Sequence, residues 1–330
     1  MNFRTEVLLN KAGLDISYSD RLFFVGSCFS NNIGQRLADL KFKTMVNPTG
    51  VLYNPCSIAQ LVERVAEEKL FSDCDFFCEK GIWNSFHLHS SFSALSLDDI
   101  KNNANQSIVA AHDFLCHASV VVITLGTSWV YKKHDGSIVS NCHKLPSCNF
   151  QRSRLSVEEI VTCLENMIRD LHGINKLLNV VFTVSPIRHW KDGAHGNQLS
   201  KSTLLMAIDA LQNNHPDSVS YFPSYEIMMD DLRDYRFYAD DMLHPSSQAV
   251  DYIFQKFSDS YFSAETVSCS KLVQNIISDV NHRPINPESE EYKKFLGAVI
   301  KKIDLAGNMY PNLDLSAERE MITHKLGLLD

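Results

Sequence analysis

The chain has 330 residues, 45% hydrophobic and 21% charged, enough for one large core with an appendage. A net charge of −8 and a pI near 5.9, with no block of lysine or arginine, exclude a nucleic-acid-binding surface. No apolar run reaches the length of a membrane span, and residues 1–6 lack the charged-then-apolar layout of a secretory leader. Nine scattered cysteines, an odd number, fit free thiols in a reducing compartment, so a cytoplasmic location is expected.

In chain order, the first strong signal is Leu22-Phe23-Phe24-Val25 running into Gly26-Ser27-Cys28. Apolar residues then take helical spacing at Ile33, Leu37 and Leu40, which predicts a buried strand, a tight turn and a helix. Cys28 falls at the turn. The N–H groups that open a helix favour thiolate over thiol there, and they also suit an oxyanion on a substrate carbonyl. A buried structural cysteine is the alternative.

Further strand signals lie at Lys43–Val46, ahead of Asn47-Pro48-Thr49-Gly50, and at 119–125, which ends at Gly126. Asn179–Val184 ends at Ser185-Pro186, and Val219–Phe222 is a weaker candidate. Helical patterns at 157–171, 200–212 and 246–261 alternate with these runs. Such alternation implies a parallel sheet covered on both faces, with ligands gathered at the carboxyl ends of the strands. Residues 55–118 form a long connection: a helix over 55–69, an aromatic-rich stretch with a hairpin turning at Lys80-Gly81, and a second helix near Leu97–Cys116. Its length marks it as a functional insertion. Beyond Tyr261 the tail reads as helices over 271–280, 288–302 and 316–326.

A nucleophile needs a base, and the base needs a group to orient it. Asp241-Met242-Leu243-His244, just before a predicted helix, supplies a carboxylate and an imidazole on neighbouring loop positions. With these residues in place, the chain resembles the GSCFA family, which is itself similar to the SGNH/GDSL hydrolase superfamily. The likeness extends over most of residues 20–260. Gly26-Ser27-Cys28-Phe29-Ser30 matches the family signature except that Ser30 stands where the motif has alanine. The resemblance puts Cys28 in the place of the superfamily's catalytic serine. It implies that Asp241 and His244 complete the triad, and that the N–H groups of Cys28 and Gly50 line the oxyanion hole. Ser128 would stand there in place of an asparagine.

The implied fold is a three-layer α/β/α sandwich with a flavodoxin-like parallel sheet. To it the sequence adds the helical insertion at 55–118, within a domain over 1–263, and a helical extension over 264–330. The expected activity is acyl transfer, to water or to an acceptor hydroxyl, from a small ester, a thioester or an acylated sugar. No cofactor and no metal are called for, and the oligomeric state stays open. Ser27, Asn47, Gly126, Arg188, His189 and His195 are the candidates for holding substrate. Arg188 presents planar paired donors suited to carboxylate or phosphate, a solvated loop being the alternative. A metal reading through His87 and His89 with His189 or His195 lacks a carboxylate at ligand spacing. Trp83, Phe86 and Phe92 pack the insertion, form a sugar platform or close over the site. The rival function is a non-catalytic small-molecule or carbohydrate-binding module, allowed by cysteine in place of serine and Ser128 in place of asparagine.

Overall fold

In the computed structural model, which describes residues 4–9 and 11–328, the elements run in this order. Strand β1 (Arg21–Gly26), helix α1 (Cys28–Asp39), β2 (Lys43–Val46) and α2 (Pro55–Ala66) come first. The hairpin strands β3 (Phe77–Glu79) and β4 (Ile82–Asn84), α3 (Leu97–Cys116) and β5 (Val120–Leu125) follow. Next are the short strands β6 (Trp129–Lys132), β7 (Ile138–Val139) and β8 (Gln151–Arg154), then α4 (Val157–Ile174) and β9 (Asn179–Val184). The chain continues through α5 (Gly193–Asn214), β10 (Val219–Phe222), the single turn α6 (Ser224–Glu226) and α7 (Ser247–Tyr261). It ends in α8 (Ala264–Val280), α9 (Glu290–Met309) and α10 (Ser316–Gly327). Of the opening stretch 1–6, the first three residues lie outside the described part, as do the last two of the extension. No helix among the described residues is long and apolar enough to cross a membrane.

The five predicted strands form one sheet in the order β2–β1–β5–β9–β10, every pair parallel. Counted along the chain, that order is 2-1-3-4-5, the flavodoxin-like arrangement. Because successive side chains of a strand point to opposite faces, each buried run feeds two cores. Phe23, Val25, Val121, Ile123, Val180 and Phe182 meet α2, α3, α4 and α5 on one face. Leu22, Phe24, Val120, Val122 and Val181 meet α1, α7 and the C-terminal helices on the other. The result is a three-layer α/β/α sandwich. Each of the fully buried phenylalanines contributes roughly 1.5–3 kcal/mol by leaving water.

Within the stretch 55–118, α2 and α3 supply Ile58, Val62, Val65, Ile100, Ile108 and Leu115 to the first core. The hairpin packs on that core through Trp83, and its predicted turn is made by Lys80 and Gly81 at φ of 52° and 80°. Two features depart from expectation. Helix α5 begins at Gly193 rather than near 200, because Asn197, Ser200 and Lys201 occupy the buried stripe and hide its apolar period. The antiparallel sheet β7–β6–β8 was not legible, since its strands are only two to four residues long and β8 is entirely polar.

Candidate active site

The turn after β1 is built around a glycine for a steric reason. Gly26 has φ of 133°, and a Cβ there would stand 2.2 Å from the Thr124 carbonyl oxygen of β5. The Gly26 N–H donates to Asn47 Oδ1 at 2.8 Å, and the Ser27 N–H donates to Thr124 O at 3.1 Å. Ser27 then caps α1, its Oγ accepting from the Phe29 N–H. Ser30, the departure from the signature, bonds to Thr124 Oγ1 at 2.7 Å and so ties α1 back to the sheet. Cys28 is left as the first residue of the helix.

On the other side, the loop before α7 closes on Asp241. Its Oδ1 accepts from the N–H groups of Leu243 and His244, both at 2.9 Å, and its Oδ2 lies 2.5 Å from His244 Nδ1. Those two backbone donors, with the imidazole, hold the Asp241 carboxyl down at about 2. The carboxylate fixes the ring orientation and leaves Nε2 as the basic nitrogen.

Ser27, Cys28, Arg188, His189 and His244 all line one cavity of about 310 Å³, together with Tyr53 and Ser185. Among the described residues no hydrogen bond joins the Cys28 thiol to the imidazole. Burial pushes the Cys28 thiol up, against smaller opposing effects from its own N–H, the positive charge of Lys201 and the Phe29 N–H. The helix N–H groups do favour the thiolate as expected, but desolvation opposes and outweighs them.

Other predicted site residues do not reach the cavity wall. The Gly50 N–H is committed to Asn47 O at 2.8 Å, and His89 fills the space where a Gly50 Cβ would stand. Ser128 is fully buried, with its hydroxyl 3.1 Å from Ser200 Oγ. Both are thus corrected as oxyanion donors in this conformation, and the Cys28 N–H is the remaining one of the three. Asn47 clamps the turn instead, bonding Gly26 through Oδ1 and Asn31 through Nδ2. Gly126 gives its N–H to Tyr53 O, and His195 is exposed on α5. Neither Trp83, Phe86 nor Phe92 lines the cavity; Phe86 stacks on Phe77 with centroids 4.3 Å apart, which leaves the packing reading.

Lys201 reaches the site from below. It is fully buried, and its Nζ donates to Gly126 O and Ser185 O, both at 2.8 Å. Those carbonyls directly follow β5 and β9, so the ammonium sits under the site floor. Burial pushes its pKa down to about 7, opposed by the charge of an ionised Cys28. The signal was in the sequence: Lys201 shares a helical stripe with Leu204, Ile208 and Leu211, where a lysine is out of place. Burial, reinforced by Lys201, also keeps His189 below the ordinary histidine range.

The small sheet explains how the loop after β9 is held. Arg152 of β8 pairs with Asp192, whose side chain is 1% exposed, and lies over the Trp129 ring at 4.2 Å. Lys191 reaches Tyr131 Oη, and the His189 N–H donates to Asn197 Oδ1 at 2.9 Å. Arg188 and His189 are thereby fixed from both sides.

Residues 21–257 match the GSCFA family, and residues 273–327 match the GSCFA domain protein, C-terminal domain. The chain belongs to the GSCFA family. Among curated proteins none matches this GSCFA chain. It is similar at 12% identity to an acetyl xylan esterase from the rumen bacterium Butyrivibrio proteoclasticus, over 74% of this chain and 63% of that one, with a TM-score of 0.39. It thus spans less than two thirds of that enzyme's length. A family two carbohydrate esterase from Clostridium thermocellum, in complex with cellohexaose, aligns at 12% identity over 74% of this chain and 64% of that one, TM-score 0.37. A carbohydrate esterase family 3 from Talaromyces cellulolyticus aligns at 8% identity over 78% and 99%, TM-score 0.36.

Proposed function

We propose that this GSCFA protein is an acyl-transfer enzyme that works through a Cys28 thioester. One observation carries the reading: the thiol at the start of α1 and an imidazole held at 2.5 Å by a carboxylate line the same cavity. His244 Nε2 takes the thiol proton as Sγ attacks the acyl carbonyl carbon, and the Asp241 carboxylate stabilises the imidazolium. The carbonyl oxygen gains the negative charge beside the Cys28 N–H. Collapse breaks the bond to the leaving alkoxide or thiolate, which takes the proton back from His244. Water or a hydroxyl, deprotonated by the same Nε2, then attacks the thioester, and Cys28 leaves as thiolate and is reprotonated.

A thiol pushed up by burial agrees with this scheme, because the proton leaves only as the new bond forms. The positive charge of Lys201 beneath the floor favours the thiolate whenever it appears. The substrate class is a small ester or thioester, including an acylated carbohydrate.

The rival binding-module reading draws on the commitment of the Gly50 N–H and the Ser128 hydroxyl elsewhere. Intact-mass measurement after exposure to a panel of acyl esters and acyl-CoAs separates the two. An acyl adduct on wild type, absent from Cys28→Ala, is expected. No adduct from any member of the panel would leave the binding module as the better account.

A further inference from the structure

A second cavity of about 320 Å³ adjoins the one that holds Cys28. Arg188, Trp190 and Leu243 line both, so the two form one continuous cleft with Arg188 at the junction. Along the second half stand Tyr235, Tyr238 and Met229.

Arg188 is half-buried and carries no carboxylate partner among the described residues. Its Nε donates to Met229 Sδ at 3.0 Å, which leaves the two terminal nitrogens of the guanidinium for a ligand. The buried Lys201 is near enough for the two positive charges to oppose each other. Arg233 adds a further cation to the second cavity, paired at 3.5 Å with the exposed Asp230. Asp234 is the one acidic residue on that wall. The wall thus carries two guanidinium groups and one carboxylate.

The aromatic residues are placed unlike core ones. Trp190 is 50% exposed and Tyr235 is 76% exposed, and Tyr235 lies beside Tyr238 with centroids 5.9 Å apart. Large rings left in solvent on a concave wall present flat faces to a flat or ring-shaped ligand.

We infer that the second half of the cleft holds a ring compound bearing a carboxylate or phosphate, with the anion on Arg188 and the ring against the tyrosine wall. This rests on the acyl-transfer reading for the rest of the substrate. The acyl carbonyl has to sit at Cys28, so the ring compound is the alcohol half of the ester; an unbranched acyl chain would use neither the guanidinium nor the rings. The guanidinium fork suits either anion, and the source of the charge is a matter for the test.

The test is titration calorimetry on the full chain with glucuronate, glucose 6-phosphate and glucose. At least one anion is expected to bind tenfold or more tighter than glucose. Arg188→Gln should remove that difference, whereas Tyr235→Ala, at an exposed position, should weaken all three ligands together. The tighter anion names carboxylate or phosphate as the natural group. Equal affinity for charged and neutral sugars overturns the inference, as does an anion preference that survives Arg188→Gln. So does the absence of binding by either anion up to about 10 mM. Anion binding without an acyl adduct on Cys28 would remove the acyl-transfer reading and leave the anion site standing. An adduct without anion preference would do the reverse.

Discussion

Lys201 Nζ donates to the Ser185 carbonyl oxygen at 2.8 Å, so a buried ammonium supports the loop that carries Arg188 and His189. Below about pH 7 the folded protein holds that charge in a desolvated place. Between about pH 7 and the ordinary lysine range near 10.4, the unfolded chain binds a proton that the folded chain has released. Stability conferred by wild-type Lys201, relative to Lys201→Met, should therefore rise with pH across that window. Urea melts of both proteins at intervals from pH 6 to pH 10 measure it. A constant difference would mean that Lys201 does not titrate there.

Cys28 should alkylate slowly at neutral pH. Burial holds its thiol above the ordinary cysteine value, so its rate with iodoacetamide is expected to climb mainly in the alkaline range. Exposed Cys74, Cys78 and Cys148 serve as internal references in the same digest. Faster labelling of Cys28 than of these three at pH 7 would contradict the desolvation account.

The base and its orienter are half exposed, at 52% for the His244 side chain and 48% for Asp241. Removing either should spare the fold while removing function. His244→Ala is expected to lower kcat by about 10²–10⁴, and Asp241→Asn to fall within the same range through loss of the ring orientation. The measurement is turnover of whichever ester acylates Cys28, alongside thermal midpoints unchanged from wild type.

Arg152→Ala would strand the buried Asp192 carboxylate without its cation. Breaking such a pair from one side costs about 3 kcal/mol. Because Asp192 anchors the loop of Arg188, KM should rise as well as stability fall. Arg152→Lys, which keeps a charge but not the stack on Trp129, should recover only part of both.

Gly26→Ala should be among the most damaging single changes. The new methyl group would sit 2.2 Å from Thr124 O at a φ that L-residues rarely adopt, and a shift of β1 against β5 would have to absorb it. A loss of about 3 kcal/mol or more is expected in denaturant melts. Wild-type stability in this variant would show that the turn relaxes freely.

The sheet was legible because its central strands β1, β5 and β9 are apolar runs rich in phenylalanine, valine and isoleucine that end in turn residues, and each of the five landed within a residue or two of its place. The turn at Gly26-Ser27-Cys28 and the Asp241–His244 pair were legible for a different reason: their local spacing dictates local hydrogen bonds. The remote parts of the site were not. Whether the Gly50 N–H points inward depends on a turn bond to Asn47 and on His89 above it, neither of which has a sequence signature. Ser128 was placed by analogy with an asparagine, but a short hydroxyl is drawn to the neighbouring Ser200. The anchoring of the Arg188 loop comes from a small sheet whose strands, of two to four residues, are too short to show a period.

Cys269, Val273 and Ile276 of α8, Leu296, Val299 and Ile303 of α9, and Ile322 of α10 belong to the same cluster as Leu22, Phe24 and Phe29. The strand that delivers Cys28 is thus shielded on one face by helices from the far end of the chain. The two segments matched by separate family descriptions therefore bury their apolar side chains in one shared core, so a cavity cut into the last helices borders directly on the nucleophile's own strand.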